Sequence, residues 1–158
     1  MKQMRHRKII ITIEIILSVM FLSCGCAIYL LFRSKALYIY QWCLSFGISD
    51  YVDVCRHYVQ GCQLSDFIIF CLPDGLYCAA YILVIDAIWF EDNRLAKYLI
   101  LSLVPTITIG SEILQLIGVV RGTFDVMDLV CYAISPLVYF VVYQRNHIIF
   151  DKLKTKNL

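Results

Sequence analysis

Four long apolar runs govern what this chain can fold into. They extend over Ile9 to Phe32, roughly Phe67 to Phe90, Tyr98 to Val120, and Phe124 to Tyr143. A helix needs about 20 such residues to cross a bilayer. The runs do not alternate a wet and a dry face, so water is the wrong solvent for them. Composition agrees: 61% of the 158 residues are hydrophobic and 16% are charged, with a mean hydropathy of +0.75. A soluble domain of this size would carry more charge on its surface. The expected fold class is all-α: a polytopic membrane protein, a compact bundle of four transmembrane helices in one integral membrane domain over residues 1–158. Short links between the second, third and fourth runs favour antiparallel neighbours.

The start of the chain, with Lys2, Arg5, Arg7 and Lys8 before an apolar run, is similar to a secretory signal, and Cys24 follows Leu22-Ser23 as in a lipoprotein cleavage site. The run continues to Phe32, however, longer than a signal needs. An uncleaved first helix is expected. Lys and Arg counts then orient the chain. Ten lie in the N-terminal tail, the Arg94/Lys97 turn and the C-terminal tail, against Arg33, Lys35, Arg56 and Arg121 on the other side. This places both termini in the cytoplasm. The net charge of +2 is too small to suggest nucleic-acid binding.

The loop from Arg33 to Asp66 carries its own pattern. Tyr51, Val54, Cys55, Tyr58 and Val59 repeat at i, i+3, i+4, i+7 and i+8, one apolar helix face. Asp50 is a plausible N-cap and Gly61 a C-terminal stop. With Tyr38, Tyr40, Trp42 and Phe46 upstream, the segment is expected to be a short interfacial helix beside an aromatic belt.

The eight cysteines include no CxxC pair, and those in apolar runs read as small buried hydrophobes. Cys55 and Cys62 are a candidate disulfide if their loop lies outside the cell. All three histidines fall outside the apolar runs, which removes a histidine-based intramembrane metal site. No metal is expected, and no cofactor is assigned.

Chemistry is signalled by acids. An ionised side chain in lipid costs about 2.5–3.5 kcal/mol on insertion scales, so it persists where it faces protein or water. Asp74 follows Pro73, where either the helix begins or a preceding turn is bent. At ~1.5 Å of rise per residue, Asp74 lies up to ~10 Å below the outer surface, Glu112 about 12 Å, and Asp125 and Asp128 ~2–6 Å. Three helices thus bring acids to one layer. Gln115 shares a face with Glu112, as Asp128 does with Asp125, and Arg121 and Thr123 adjoin them. The candidate binding residues are Asp74, Glu112, Gln115, Arg121, Thr123, Asp125 and Asp128. A structural explanation competes: polar groups in lipid need partners and can simply bind a bundle together. The acids outnumber the cations, which favours use by a ligand or ion. Glu14 is expected to turn back toward Lys8, Asp86 to snorkel toward water, and Thr106 and Thr108 to repair the backbone near Pro105, all structural roles.

In these segments the chain resembles the VanZ-like family of bacterial membrane proteins. The matching pieces, in order, are Leu72-Pro73-Asp74-Gly75-Leu76, Ser111-Glu112-Ile113-Leu114-Gln115, and Gly122-Thr123-Phe124-Asp125-Val126-Met127-Asp128. The resemblance covers roughly residues 66–143. Family members often carry histidine or tryptophan where Tyr77-Cys78 stand, and asparagine at the place of Tyr132. The resemblance implies a cell-envelope role in the bacterial cytoplasmic membrane. Its name-giving member is associated with low-level teicoplanin resistance. The expected function is an outward-facing acidic site that binds a polar headgroup, cell-wall precursor or cation. The alternative is an intramembrane enzyme acting on a lipid-linked substrate through paired carboxylates. A small ion conductor ranks last, because the acids gather on one side.

Overall fold

The computed structural model describes residues 2–89 and 95–155, with side chains for 8–89 and 95–142. Among the described residues the secondary structure is helical throughout, with no strand. The elements are α1 (Lys2–Phe32), α2 (Tyr38–Ser45), α3 (Ser49–Val59), α4 (Leu72–Ile88), α5 (Leu95–Leu116) and α6 (Val126–Thr155). A π turn, Phe67–Cys71, runs directly into α4. Three stretches are long and apolar enough to cross a membrane: Lys8–Phe32, Phe67–Ile88 and Leu95–Leu116. The helix α6 adds a shorter apolar stretch, Val126–Val142. The expected end of the second run at Phe90, and the turn holding Arg94, lie outside the described residues.

Large apolar side chains face outward while charged ones are buried inside. Ile16, Ile107 and Leu137 are 53%, 63% and 63% exposed, while Lys97 is 0% exposed. Water would reverse that distribution. It is the pattern expected where lipid is the solvent.

The helix α4 is the hub, packed against α1, α5 and α6. Small residues allow the approach, as is common between membrane helices. A Cβ on Gly25 of α1 would sit 2.9 Å from the Tyr77 ring, and one on Gly75 would sit 3.2 Å from Cys131 Cβ. Hydroxyls close the same seams. Ser18 Oγ donates to Ala80 O and Ser135 Oγ to Gly75 O, each at 3.0 Å.

Both possibilities at Pro73 are met: α4 begins at Leu72 with the proline in its first turn, and the turn before it is bent. Proline lacks an N–H and its ring crowds the carbonyl four residues back. The ladder widens there, and the Leu72 N–H bonds the Phe67 carbonyl five residues back. Within α5, Pro105 leaves the Leu101 carbonyl without its ladder donor; Thr108 Oγ1, expected to repair the backbone there, donates instead to Val104 O (3.0 Å) and Pro105 O (3.1 Å). Thr106, expected to share that role, is exposed.

The third run was expected to continue to Val120, but α5 stops at Leu116. Gly118 is the cause. It has φ +75°, and its N–H bonds Gln115 O while Val119 N–H bonds Leu114 O. That bond pair is the Schellman ending, which glycine adopts without a Cβ penalty. Glu112 is therefore about 6 Å from the helix end, not 12 Å. After the turn, Asp125 caps α6: its Oδ1 accepts the Met127 N–H at 2.8 Å, satisfying an otherwise unpaired first-turn donor.

Candidate functional site

Asp74 stands in the first turn of α4 and accepts a 2.7 Å hydrogen bond from Tyr29 Oη of α1. Arg33 follows Tyr29 four residues later, just past the end of α1. Its guanidinium carbon is 4.3 Å from the Tyr29 ring centroid and 5.0 Å from that of Phe70. Arg33 Nη2 donates to Phe70 O at 3.3 Å, and its Nε is buried with no hydrogen-bond partner. Thus the cation beside Asp74 comes from the residue that follows α1.

Glu112 is 6% exposed, and its Oε2 accepts the backbone N–H of Asp125 at 3.3 Å. The Schellman turn makes this contact: it reverses the chain within nine residues (117 to 125), so that the cap of α6 returns to α5. Asp128 follows in the first turn of α6, and its Oδ1 is buried with no hydrogen-bond partner. Glu112 lies within electrostatic reach of Asp74, Asp125 and Asp128, and Asp74 within reach of Asp128. Four carboxylates from α4, α5 and α6 meet in one layer.

Gln115 is turned to the α5–α6 link. A Cβ on Gly122 would sit 2.6 Å from its Oε1, and Gly122 itself has φ +154°. Arg121 and Thr123 do not join the group. Both are exposed, and among the described residues neither makes a hydrogen bond or ion pair. The expected counter-cation, Arg121, is therefore replaced by Arg33.

Sequence reasoning missed three contributors. Tyr29 and Arg33 stand at i, i+4 near the end of the first run, a spacing that puts both on one face. Cys71 stands three residues before Asp74 and was counted as a small hydrophobe. It is 3% exposed, and its Sγ lies within 4.8 Å of carboxylate oxygens of Asp125 and Asp128, which are also within that distance of each other. The exclusion of a metal rested on histidines and CxxC spacing, and neither bears on donors brought together from different helices.

A second polar layer lies twelve residues further along α4 (74 to 86), about 18 Å by helical rise. Asp86 does not snorkel outward; it is 3% exposed. Its Oδ1 accepts from Tyr139 Oη at 2.7 Å and lies 2.5 Å from Lys97 Nζ. Lys97 is consequently an interior ion-pair partner and not a base of the rim. Glu14 faces Asp86 and Lys97 instead of turning back to Lys8, and lines a cleft of about 150 Å³ with Asp86, Ser135 and Tyr139. The acids are thus not confined to one side. Between the layers Cys78, Ile82 and Leu101 form an apolar cluster, joined by Tyr132.

The segment between α1 and α4 is tied down by charge. Arg56 of α3 donates from Nη1 to Leu30 O (2.5 Å) and from Nη2 to Arg33 O (2.7 Å). It thereby serves the unpaired carbonyls at the end of α1, where a cation is favoured. Asp53 accepts from Lys35 Nζ (2.7 Å) and Tyr40 Oη (2.9 Å). These two bonds, the lysine's first, hold the Asp53 carboxyl below its ordinary range. The bond to Asp53 in turn raises the Lys35 ammonium. The opposite face of α3 is open, with Tyr51 and Tyr58 76% and 83% exposed. The helix begins at Ser49, one residue before the expected cap Asp50, and Gly61 follows its C-cap Gln60. Cys55 and Cys62 are both free thiols.

Comparison with protein-family models, curated proteins and solved structures returns no match.

Proposed function

We propose that this chain is a VanZ-like envelope protein of the bacterial cytoplasmic membrane, whose acidic layer binds a polar headgroup, a cell-wall precursor or a cation. In this reading the chain crosses four times, with α6 as the fourth span and both termini in the cytoplasm. The helix α3 lies in the outer interface with Tyr51, Val54 and Tyr58 in the lipid boundary, a position that suits its open apolar face. The observation that carries the proposal is the meeting of Asp74, Glu112, Asp125 and Asp128 beside a single described cation, Arg33. Glu112 is buried and Asp74 and Asp128 are half-buried, and negative charge so placed is costly without a ligand, ion or proton to offset it.

Binding is favoured over covalent catalysis by Ser111, the hydroxyl beside Glu112 in the sequence. Its Oγ donates to Thr108 O at 2.7 Å, within its own helix. The acid–base alternative keeps the carboxylates and predicts turnover of a lipid-linked substrate that is lost in Asp125→Asn.

The test is lipid and precursor binding by purified protein in nanodiscs, followed by native mass spectrometry and thermal shift. Retained polar lipid or lipid-linked precursor, lost in Glu112→Gln, supports the proposal. Identical ligand retention by the folded variant would reject it. Teicoplanin susceptibility of cells expressing each form connects the site to the family phenotype.

A further inference from the structure

We infer that Cys71, Asp125 and Asp128 form a binding site for a divalent metal ion of borderline softness, of the zinc type, within the acidic layer. The inference rests on the acidic-site reading and names the ion that the layer takes.

Three observations support it. First, the donor set is mixed: one sulfur and two carboxylates, all mutually within 4.8 Å. Zinc holds sulfur at about 2.3 Å and oxygen at about 2.0–2.2 Å in a tetrahedral arrangement. Second, the Cys71 side chain is 97% buried, by its 3% exposure, and faces carboxylates instead of lipid. A side-chain hydrogen bond already links its thiol to Asp128, so the sulfur is turned toward the proposed donors. Third, Asp128 Oδ1 is buried without any hydrogen-bond partner, although a bare carboxylate oxygen inside a protein is expensive. A metal would supply the missing partner.

The backbone holds these donors by separate devices. The π turn ends at Cys71, which is also the N-cap of α4, three residues before Asp74. Turns of this kind recur at functional sites. The Met127 N–H fixes Asp125 through Oδ1, and the other oxygen of that carboxylate remains available. Asp128 is placed by the first turn of α6.

Softness selects the ion. Magnesium and calcium prefer oxygen alone, whereas a thiolate ligand suits zinc. On binding, the Cys71 thiol gives its proton to solvent and the sulfur becomes a thiolate ligand. Three protein donors leave a fourth position open, as in zinc sites that engage an exogenous ligand. A phosphate or carboxylate of the proposed headgroup has the chemistry to fill it.

The experiment uses full-length protein in nanodiscs in a Cys55→Ser/Cys62→Ser background, because those exposed thiols and His57 share one segment and can take up zinc themselves. Zinc is titrated against a chromophoric chelator, and cobalt is substituted to read the sulfur-to-metal charge-transfer band. The inference expects one zinc per chain and a cobalt band that disappears in Cys71→Ser. It also expects at least a ~tenfold affinity loss in Asp128→Asn. Absence of the band in the background protein, zinc binding unchanged in folded Cys71→Ser, or equal preference for magnesium would overturn it. Should Cys71→Ser not fold, the cobalt spectrum of the background protein and the Asp128→Asn titration decide. If zinc fails while Glu112→Gln still loses its lipid, the metal inference falls alone. If both fail, the acidic-site reading falls with it.

Discussion

Lys97 Nζ lies 2.5 Å from Asp86 Oδ1, and the lysine side chain has no exposed surface. The pair joins α5 to α4, and Tyr139 brings α6 to the same carboxylate. Removing one partner leaves the other charged and buried, which typically costs about 3–5 kcal/mol. Asp86→Asn and Lys97→Met are each expected to lose that much in reversible unfolding in detergent. The double variant is expected to recover a large part of the loss. Simple addition of the two losses would mean that the groups do not act as a pair.

The tie between α3 and the end of α1 has a pH window. Asp53 titrates below its unfolded value, so its contribution is present above about pH 4 and is lost as pH falls through the folded value. Lys35 titrates above its unfolded value. Its contribution is complete below about pH 10 and fades as pH rises through the folded value. Both groups are open to solvent, so salt also weakens the tie. Trp42 fluorescence and hydrogen exchange of α3 are expected to report loosening below pH 4 and in high salt. Asp53→Asn is expected to remove the acid-side transition. An acid transition of equal size in Asp53→Asn would contradict the assignment.

Gly118 occupies a left-handed conformation that a β-branched residue adopts only under strain. Gly118→Val is expected to cost at least ~1 kcal/mol and to disturb the Schellman ending. Because that turn returns Asp125 to Glu112, the variant should also weaken ligand binding at a position that touches no ligand. Unchanged binding in the folded variant would separate the turn from the site.

The sequence made the solvent legible before anything else, since runs such as Ile9 to Phe32 leave few alternatives to lipid. Acidic residues stood out for the same reason: an ionised group is conspicuous among aliphatic ones. What the pattern did not carry was the direction of side chains across helices. Lys97 looked like a rim base because it stands near a chain turn, yet it points inward to Asp86. Cys71 looked hydrophobic because its neighbours are, yet packing against α6 sets it beside two carboxylates. Arg121 looked like the counter-charge by proximity in sequence, and Arg33, just past the end of α1, takes that place. Gly118 was the signal for the end of α5, and hydropathy alone ran past it to Val120.

The central claim is that the acidic layer serves a ligand and does not glue the helices together. These alternatives predict opposite signs for one measurement: the melting temperature of Asp128→Asn in lipid nanodiscs, with metal and polar lipid removed and then restored. A binding site holds like charges at the expense of stability. The account therefore predicts that Asp128→Asn melts higher than the unchanged protein when stripped, and gains little when ligand returns. A lower melting temperature in the stripped state, with undiminished stabilisation by ligand, would contradict it.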